Sequence, residues 1–344
     1  MRLPVAFVVC LFACSALGFA QQQPEGPTSE KAQKSYKEGL EHERKHDWFG
    51  ALDSFKKADK QDEGHCLPCQ KKALKYAIQL QDWKVAQNVT AEMIAEAQGE
   101  KNVALAHYQA GMVALDEAII KNKKDLYSRA HEEFSNALAA VANFPEALLD
   151  DGKALAHLNQ DAAAKADFEK YVSLHSANDS DRRRAQRFID EPELARARMA
   201  PPFAVDTLTG EHLSMDDLTG KVVLIDFWAT WCGPCREALP HMLQIAKKFQ
   251  GQPLVVLSVS LDSDEKKWKD FIAKNQMNWM HYRDGGFTGP VATLFGVKAI
   301  PQTFTVDADG VVQDQHIGDA SIEGKLKKLV ARAEELQPGR KALQ

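Results

Sequence analysis

The chain has 344 residues, 44% of them hydrophobic and 26% charged, with a formal net charge of −5. That length fits two domains rather than one core, and the balanced, faintly acidic charge leaves no footprint for nucleic acid or an anionic membrane surface. All six cysteines fall in close pairs: Cys10/Cys14, Cys66/Cys69 and Cys232/Cys235.

Arg2 precedes an apolar run from Leu3 to Ala20, which ends in Gly18-Phe19-Ala20 before Gln21-Gln22-Gln23. A charged start, an apolar stretch and a small-x-small ending predict an export signal over residues 1–20, cleaved after Ala20. Two alternatives stay open. An uncleaved anchor needs about 20 apolar residues, and a lipoprotein signal at Leu11-Phe12-Ala13-Cys14 is weakened by the bulky Phe12. Residues 21–30, QQQPEGPTSE, carry no apolar periodicity and read as a flexible linker.

From Lys31 to Ser176 the chain is alanine-rich, with apolar positions at a period near 3.6 and almost no proline. An internal repeat runs through it. Gly39, Ala51, Phe55 and Ala58 recur as Gly152, Ala164, Phe168 and Tyr171, at the same spacings of 12, 4 and 3. A third copy, Gly111, Ala130, Phe134 and Ala137, has seven extra residues before its second helix, and a degenerate one uses Ala86, Thr90 and Met93. Ala130 and Ala164 lie 34 residues apart. Small residues at these places let paired helices approach closely, and the phenylalanine fills the gap. The pattern resembles the tetratricopeptide repeat, and that resemblance implies an all-α array over residues 31–176 with a concave surface for a protein partner. An unrelated helical bundle is the alternative.

Cys66-Leu67-Pro68-Cys69 stands at the turn after the first repeat, beside His65. In an exported protein the plain expectation is a structural disulfide stapling that turn. A second redox centre relaying electrons to Cys232/Cys235, or a metal site using His65, are the sharper alternatives. A polar cluster at Ser176 to Asp181 ends the repeats. Arg182 to Met199 then reads as one charged helix within a capping and linker segment, residues 177–200, with Pro201-Pro202 at the boundary.

Residues 201–338 change to an α/β pattern. Phe203-Ala204-Val205, a turn at Gly210 and Asp216-Asp217-Leu218 form its entry. Strands are expected at Val222–Phe227, Pro253–Leu261, Trp279–Tyr282, Gln302–Val306 and Val311–Ile317. Helices are expected at Arg236–Phe249, Glu265–Lys274, Pro290–Phe295 and Ser321–Leu336. The two longest apolar runs suit a sheet covered on both faces.

The first of those strands delivers Trp231-Cys232-Gly233-Pro234-Cys235 to a helix start, where free N–H groups favour a thiolate. Spacing i, i+3 places both sulfurs on one helical face. The chemistry this points to is thiol–disulfide exchange, with Cys232 reachable and attacking, and Cys235 resolving from beneath. Half a zinc site would need a second ligand pair, which only Cys66/Cys69 could offer, and a structural disulfide is the remaining alternative. Pro234 suits a helix start, where a missing N–H costs nothing.

FWATWCGPC resembles the thioredoxin active-site segment. The wider stretch from Ala200 to Leu336 is similar to the cell-envelope thioredoxin-like reductases of the TlpA/ResA and cytochrome-c-maturation type. That resemblance implies a thioredoxin fold and protein disulfide substrates, with a membrane thiol–disulfide electron donor; it implies no cofactor and no metal. Trp231, next to the cysteine, is expected to flank the site as a packing surface, with ordinary core as the alternative; the resemblance assigns further roles. It makes Asp226, an acid in an apolar strand, the acceptor of the Cys235 proton; a structural pair with a lysine is the alternative. It also implies a cis bond at Ile300-Pro301, where an extended substrate would pair. Gly-Pro between the cysteines adds no positive charge, which leans toward a reductant. A repeat-based scaffold with a thioredoxin-like binding module, and a peroxiredoxin-type peroxidase using Thr230, are the competing functions.

Overall fold

The structure, a computed structural model, describes residues 26–176, 180–318 and 322–340. The expected export signal at residues 1–20 lies outside the described residues. Among them, no helix is long and apolar enough to cross a membrane. The chain divides into two compact units between Arg196 and Ala197.

The first unit is helical. Its described elements are α1 (Glu30–Arg44), α2 (Trp48–Gln61), α3 (Leu67–Gln79), α4 (Trp83–Glu96), α5 (Glu100–Lys121), α6 (Lys124–Ala140), α7 (Pro145–His157), α8 (Asp161–Leu174) and α9 (Ser180–Asp190). The turns inside the four successive pairs share a device: His46, Gln81, Asn122 and Asn159 each take a left-handed conformation, with φ of 57°, 57°, 50° and 61°. Asp47 and Asp82 then cap α2 and α4 through their side chains.

Packing within the pairs follows the repeat. A Cβ on Gly39 would lie 2.7 Å from the Phe55 ring, and one on Gly111 would lie 2.5 Å from the Phe134 ring; Gly152 meets Phe168 in the same way. Each glycine leaves the volume its phenylalanine fills. In the degenerate pair the sizes are exchanged, with Leu74 at the glycine position and Thr90 at the phenylalanine position, both buried. Volume is conserved while the partners trade places.

Two expectations change at the ends of this unit. Thr28 and Ser29, read as linker, are fastened to Asp62: its Oδ1 accepts from the Thr28 and Ser29 N–H groups, each at 2.9 Å. The single helix expected from Arg182 to Met199 stops at Asp190 and resumes as a short 3-10 turn, Pro192–Arg196. Pro192 lacks a donor and pushes the residue before it out of the helical region, so the helix cannot run through it.

The second unit opens with a hairpin, β1 (Ala204–Asp206) and β2 (His212–Ser214). It continues through β3 (Val222–Trp228), α10 (Gly233–Lys248), β4 (Leu254–Ser260), α11 (Glu265–Lys274), β5 (Met280–Arg283), α12 (Pro290–Leu294), β6 (Gln302–Val306), β7 (Val312–Ile317) and α13 (Glu323–Arg340). The main sheet has the order β5-β4-β3-β6-β7. Strand β3 runs parallel to β4 and antiparallel to β6. Val222 and Leu224 pack with Met242, Ile245 and Leu326 under α10 and α13. Val223, Ile225 and Phe227 pack on the other face with Trp268, Ile272 and Phe295. Every residue of β3 is buried. This is the thioredoxin-like α/β arrangement.

Gly111→Ala should lower the stability of the helical unit by about 1–2 kcal/mol. The overpacking cost is roughly 1–3 kcal/mol, and higher helix propensity offsets only part of it. Urea unfolding followed by helical circular dichroism checks this, and Phe134→Leu in the same chain should restore part of the loss.

Candidate active site

At the C-terminal end of β3 the chain turns through Ala229, Thr230 and Trp231 into α10. The turn is held from below by Asp262, which is 2% exposed. Its Oδ2 accepts the Thr230 N–H at 2.9 Å, and its Oδ1 accepts the Thr230 hydroxyl at 2.6 Å. The Ser260 hydroxyl also donates to Oδ2, at 2.7 Å. Thr230, the residue a peroxidase-type site would use, thus gives its hydroxyl to Asp262.

Cys232 is the N-cap of α10, and its Sγ accepts the Cys235 N–H at 3.2 Å. The two sulfurs are joined as a disulfide. Exposure does not separate them: Cys232 is 5% and Cys235 7% exposed. Position does. Cys232 sits among the free N–H groups of the helix start, while Cys235 shares a helical stripe with Ala238 and Met242. Met242 is packed against the sheet. Trp231, Gly233 and Pro234 are exposed around the pair, Trp231 at 59%. Ile300-Pro301 is cis, with Pro301 buried and Ile300 half-buried.

Asp226 points from β3 to the α10 side of the sheet, in line with Leu224. Its carboxylate accepts one hydrogen bond, from the Ser258 hydroxyl at 3.3 Å, and Trp279 Nε1 donates to that Ser258 oxygen at 2.9 Å. No lysine or arginine pairs with it among the described residues, which removes the structural ion pair. Burial pushes the carboxyl up to about 7, against a smaller downward pull from Ser258. The strand registers place His281, Ser258, Asp226, Thr303 and His316 in one row across this face. His281 is kept neutral by burial, its titration pushed down to about 4, and its Nε2 lies 3.0 Å from the Met277 carbonyl. Beside Asp226 a cavity of about 20 Å³ is lined by Ala238, His241, Met242, Pro301 and Thr303 among others. Asp226 and Pro301, far apart in sequence, therefore share one wall beneath the cysteine helix.

Ser258, Asp262 and His241 were not singled out in the sequence. Ser258 and Ser260 did carry a signal, as two hydroxyls in an otherwise apolar strand; His241 carried none without the helix register.

Cys66 and Cys69 lie in the helical unit, apart from this site in the chain's division. They repeat its local geometry: Cys66 is the N-cap of α3, its Sγ accepts the Cys69 N–H at 3.2 Å, and the two are joined as a disulfide. Their surroundings differ. Cys66 is 1% and Cys69 0% exposed. Asp59 Oδ1 accepts the Cys66 N–H at 3.1 Å, and burial together with the charges of Glu92 and Glu96 pushes Asp59 up to about 6. His65 Nδ1 lies 3.3 Å from Glu96.

Similarity to known proteins falls on the second unit. The sequence profile of the AhpC/TSA family matches residues 197–315. Thiol-disulfide oxidoreductase ResA of Bacillus thuringiensis is 30% identical over 145 residues, 41% of this chain and 83% of that protein. Thioredoxin-like protein YneN of Bacillus subtilis is 33% identical over 139 residues, 40% of this chain and 81% of that one. The chain belongs to the thioredoxin-like thiol-disulfide oxidoreductases. A solved thiol-disulfide oxidoreductase from Bacteroides fragilis is 27% identical over 38% of this chain and 99% of its own, with a TM-score of 0.36. The AhpC/TSA match begins at Ala197, where the second compact unit of this oxidoreductase begins.

The folded chain holds the Asp226 proton more tightly than the unfolded chain, so stability falls as pH climbs from about 4 to about 7. Asp226→Asn removes that loss. At pH 8 the variant should be more stable by roughly 2–4 kcal/mol, from ~1.4 kcal/mol per pH unit, and at pH 4 the two chains should match. Urea unfolding at both pH values checks this; an equal gain at both would contradict it.

Proposed function

We propose that this oxidoreductase reduces disulfides in exported proteins, with Cys232 as nucleophile, Cys235 as resolving thiol and Asp226 as proton acceptor. The observation that carries the reading is a cysteine pair capping α10 while a carboxylate, with no cation partner among the described residues, lies buried beneath the same helix. The Cys232 thiolate attacks one sulfur of a substrate disulfide. That bond breaks, a mixed disulfide forms, and the other substrate sulfur leaves as a thiolate. Asp226 takes the proton of Cys235, whose thiolate attacks the Cys232 sulfur, closes the internal disulfide and releases the second substrate thiolate. Two electrons have passed to the substrate, and a membrane thiol donor restores the dithiol. Asp262 positions Cys232 by fixing Thr230, and Trp231 with Ile300-Pro301 offers the substrate surface.

The apolar run at residues 3–20 supports placement in the periplasm or cell envelope, cleaved or anchored. There the substrates would include proteins of cytochrome c maturation. The repeated helix pairs support a tetratricopeptide-like array that recruits a protein partner. The Cys66–Cys69 bond acts in this reading as a staple. Burial and three nearby acids, Asp59, Glu92 and Glu96, disfavour a thiolate there, and a disfavoured thiolate makes a disulfide hard to reduce.

Cys235→Ser should hold substrates as mixed disulfides on Cys232, recoverable by non-reducing electrophoresis and absent from the Cys232→Ser variant. Asp226→Asn should slow closure of the internal disulfide about ten- to a hundredfold above pH 7, measured in a single turnover; an unchanged rate removes its role. Under graded dithiothreitol, Cys66–Cys69 should survive conditions that fully reduce Cys232–Cys235. Co-reduction of the two pairs would favour the relay instead.

A further inference from the structure

The buried carboxyl has two sides, and disulfide exchange accounts for only one of them. Toward β4 and β5 the row is closed to protons. Ser258 already donates to Asp226 and accepts from Trp279, and beyond it His281 is neutral and buried, with Nε2 against the Met277 carbonyl. Toward α10 lies the cavity of about 20 Å³. That volume admits one water molecule, and Asp226, His241 and Thr303 supply the polar partners such a water needs. Ala238, Met242, Pro301 and Ile322 add apolar side chains to the wall, and Gly318 completes it. His241 joins this interior to the outside. Its side chain is 25% exposed, and its Nε2 lies 4.0 Å from Glu323 Oε1 at the start of α13.

We propose that His241 exchanges the Asp226 proton with solvent through a single water in this cavity. The inference rests on the reading of Asp226 as acceptor of the Cys235 proton. Each substrate disulfide reduced leaves one proton on the Asp226 carboxyl. That proton passes to the cavity water as the water gives one to a His241 ring nitrogen, and the imidazolium releases a proton to bulk solvent. No electrons move, and the path reverses when the dithiol is restored. Glu323 of α13 faces His241, and Glu323 is itself bound by Lys248 of α10 and lies in the field of Lys327. From the sheet, His316 on β7 stands in register with Thr303. An imidazole suits this place because it carries two ring nitrogens, so one can take a proton while the other gives one up.

The test uses the full chain, with steady-state reduction of insulin by dithiothreitol at pH 7 in dilute buffer. His241→Leu and His241→Gln should each lose about tenfold in rate, since neither titrates, and added imidazole should restore most of it. Placed on Asp226→Asn, His241→Leu should add nothing further, because both residues serve one proton. The proposal is overturned if His241→Leu turns over like the parent, if Gln alone restores the rate, if imidazole restores nothing, or if the double variant is tenfold slower than Asp226→Asn. The reading of Asp226 fails separately, if Asp226→Asn closes its disulfide at the parental rate.

Discussion

Strand β3 has water on neither face, and the second unit is built around that fact. Its neighbours β4 and β6 satisfy its backbone, α10 and α13 cover one side, and α11 and α12 cover the other. A strand so enclosed is rigid, and its C-terminal end fixes where the next helix must start. Cys232 therefore arrives at a helix N-terminus held by Thr230 and Asp262 rather than on a free loop. The same enclosure gives Asp226 its chemistry. In water its carboxyl would be a spectator at neutral pH; inside β3 it titrates where a thiol proton can be taken and returned.

The helical unit solves a different problem with less chemistry. Its helices approach closely because a glycine on one faces a phenylalanine on the next, three times over, and the fourth pair keeps the fit with Leu74 and Thr90. The two cysteine pairs make an instructive contrast. Backbone geometry at Cys66 and Cys232 is nearly the same, down to the 3.2 Å contact between each first sulfur and the second cysteine's N–H. Surroundings set them apart: Cys66–Cys69 is walled in beside Asp59, while Cys232–Cys235 is framed by exposed Trp231, Gly233 and Pro234. Local geometry permits a redox pair; access and charge decide whether it turns over.

Much of this was legible in the residues. The period-3.6 stretches and the long apolar strands follow directly from burial periodicity, and the glycine and phenylalanine spacing carried the helix pairs. Cys232, Cys235 and Asp226 stood out because each is costly or reactive in its local setting. What sequence could not show is register. Ser258 meets Asp226 only because β4 aligns with β3, and His241 reaches the cavity only through the turn of α10 over the sheet. The break at Pro192 was readable and was outweighed by the charged helical pattern around it. Exposure is also a property of the folded chain that residue order does not carry: Cys232 is no more open than Cys235.

The central claim is that the start of α10 makes Cys232, and not its partner, the reactive sulfur. Limited alkylation of the reduced chain at pH 7 with iodoacetamide, located by peptide mass spectrometry, addresses it most directly. The account predicts that Cys232 is labelled first and faster than free cysteine, while Cys235 is spared. Equal labelling of the two, or a Cys232 no faster than free cysteine, would contradict it.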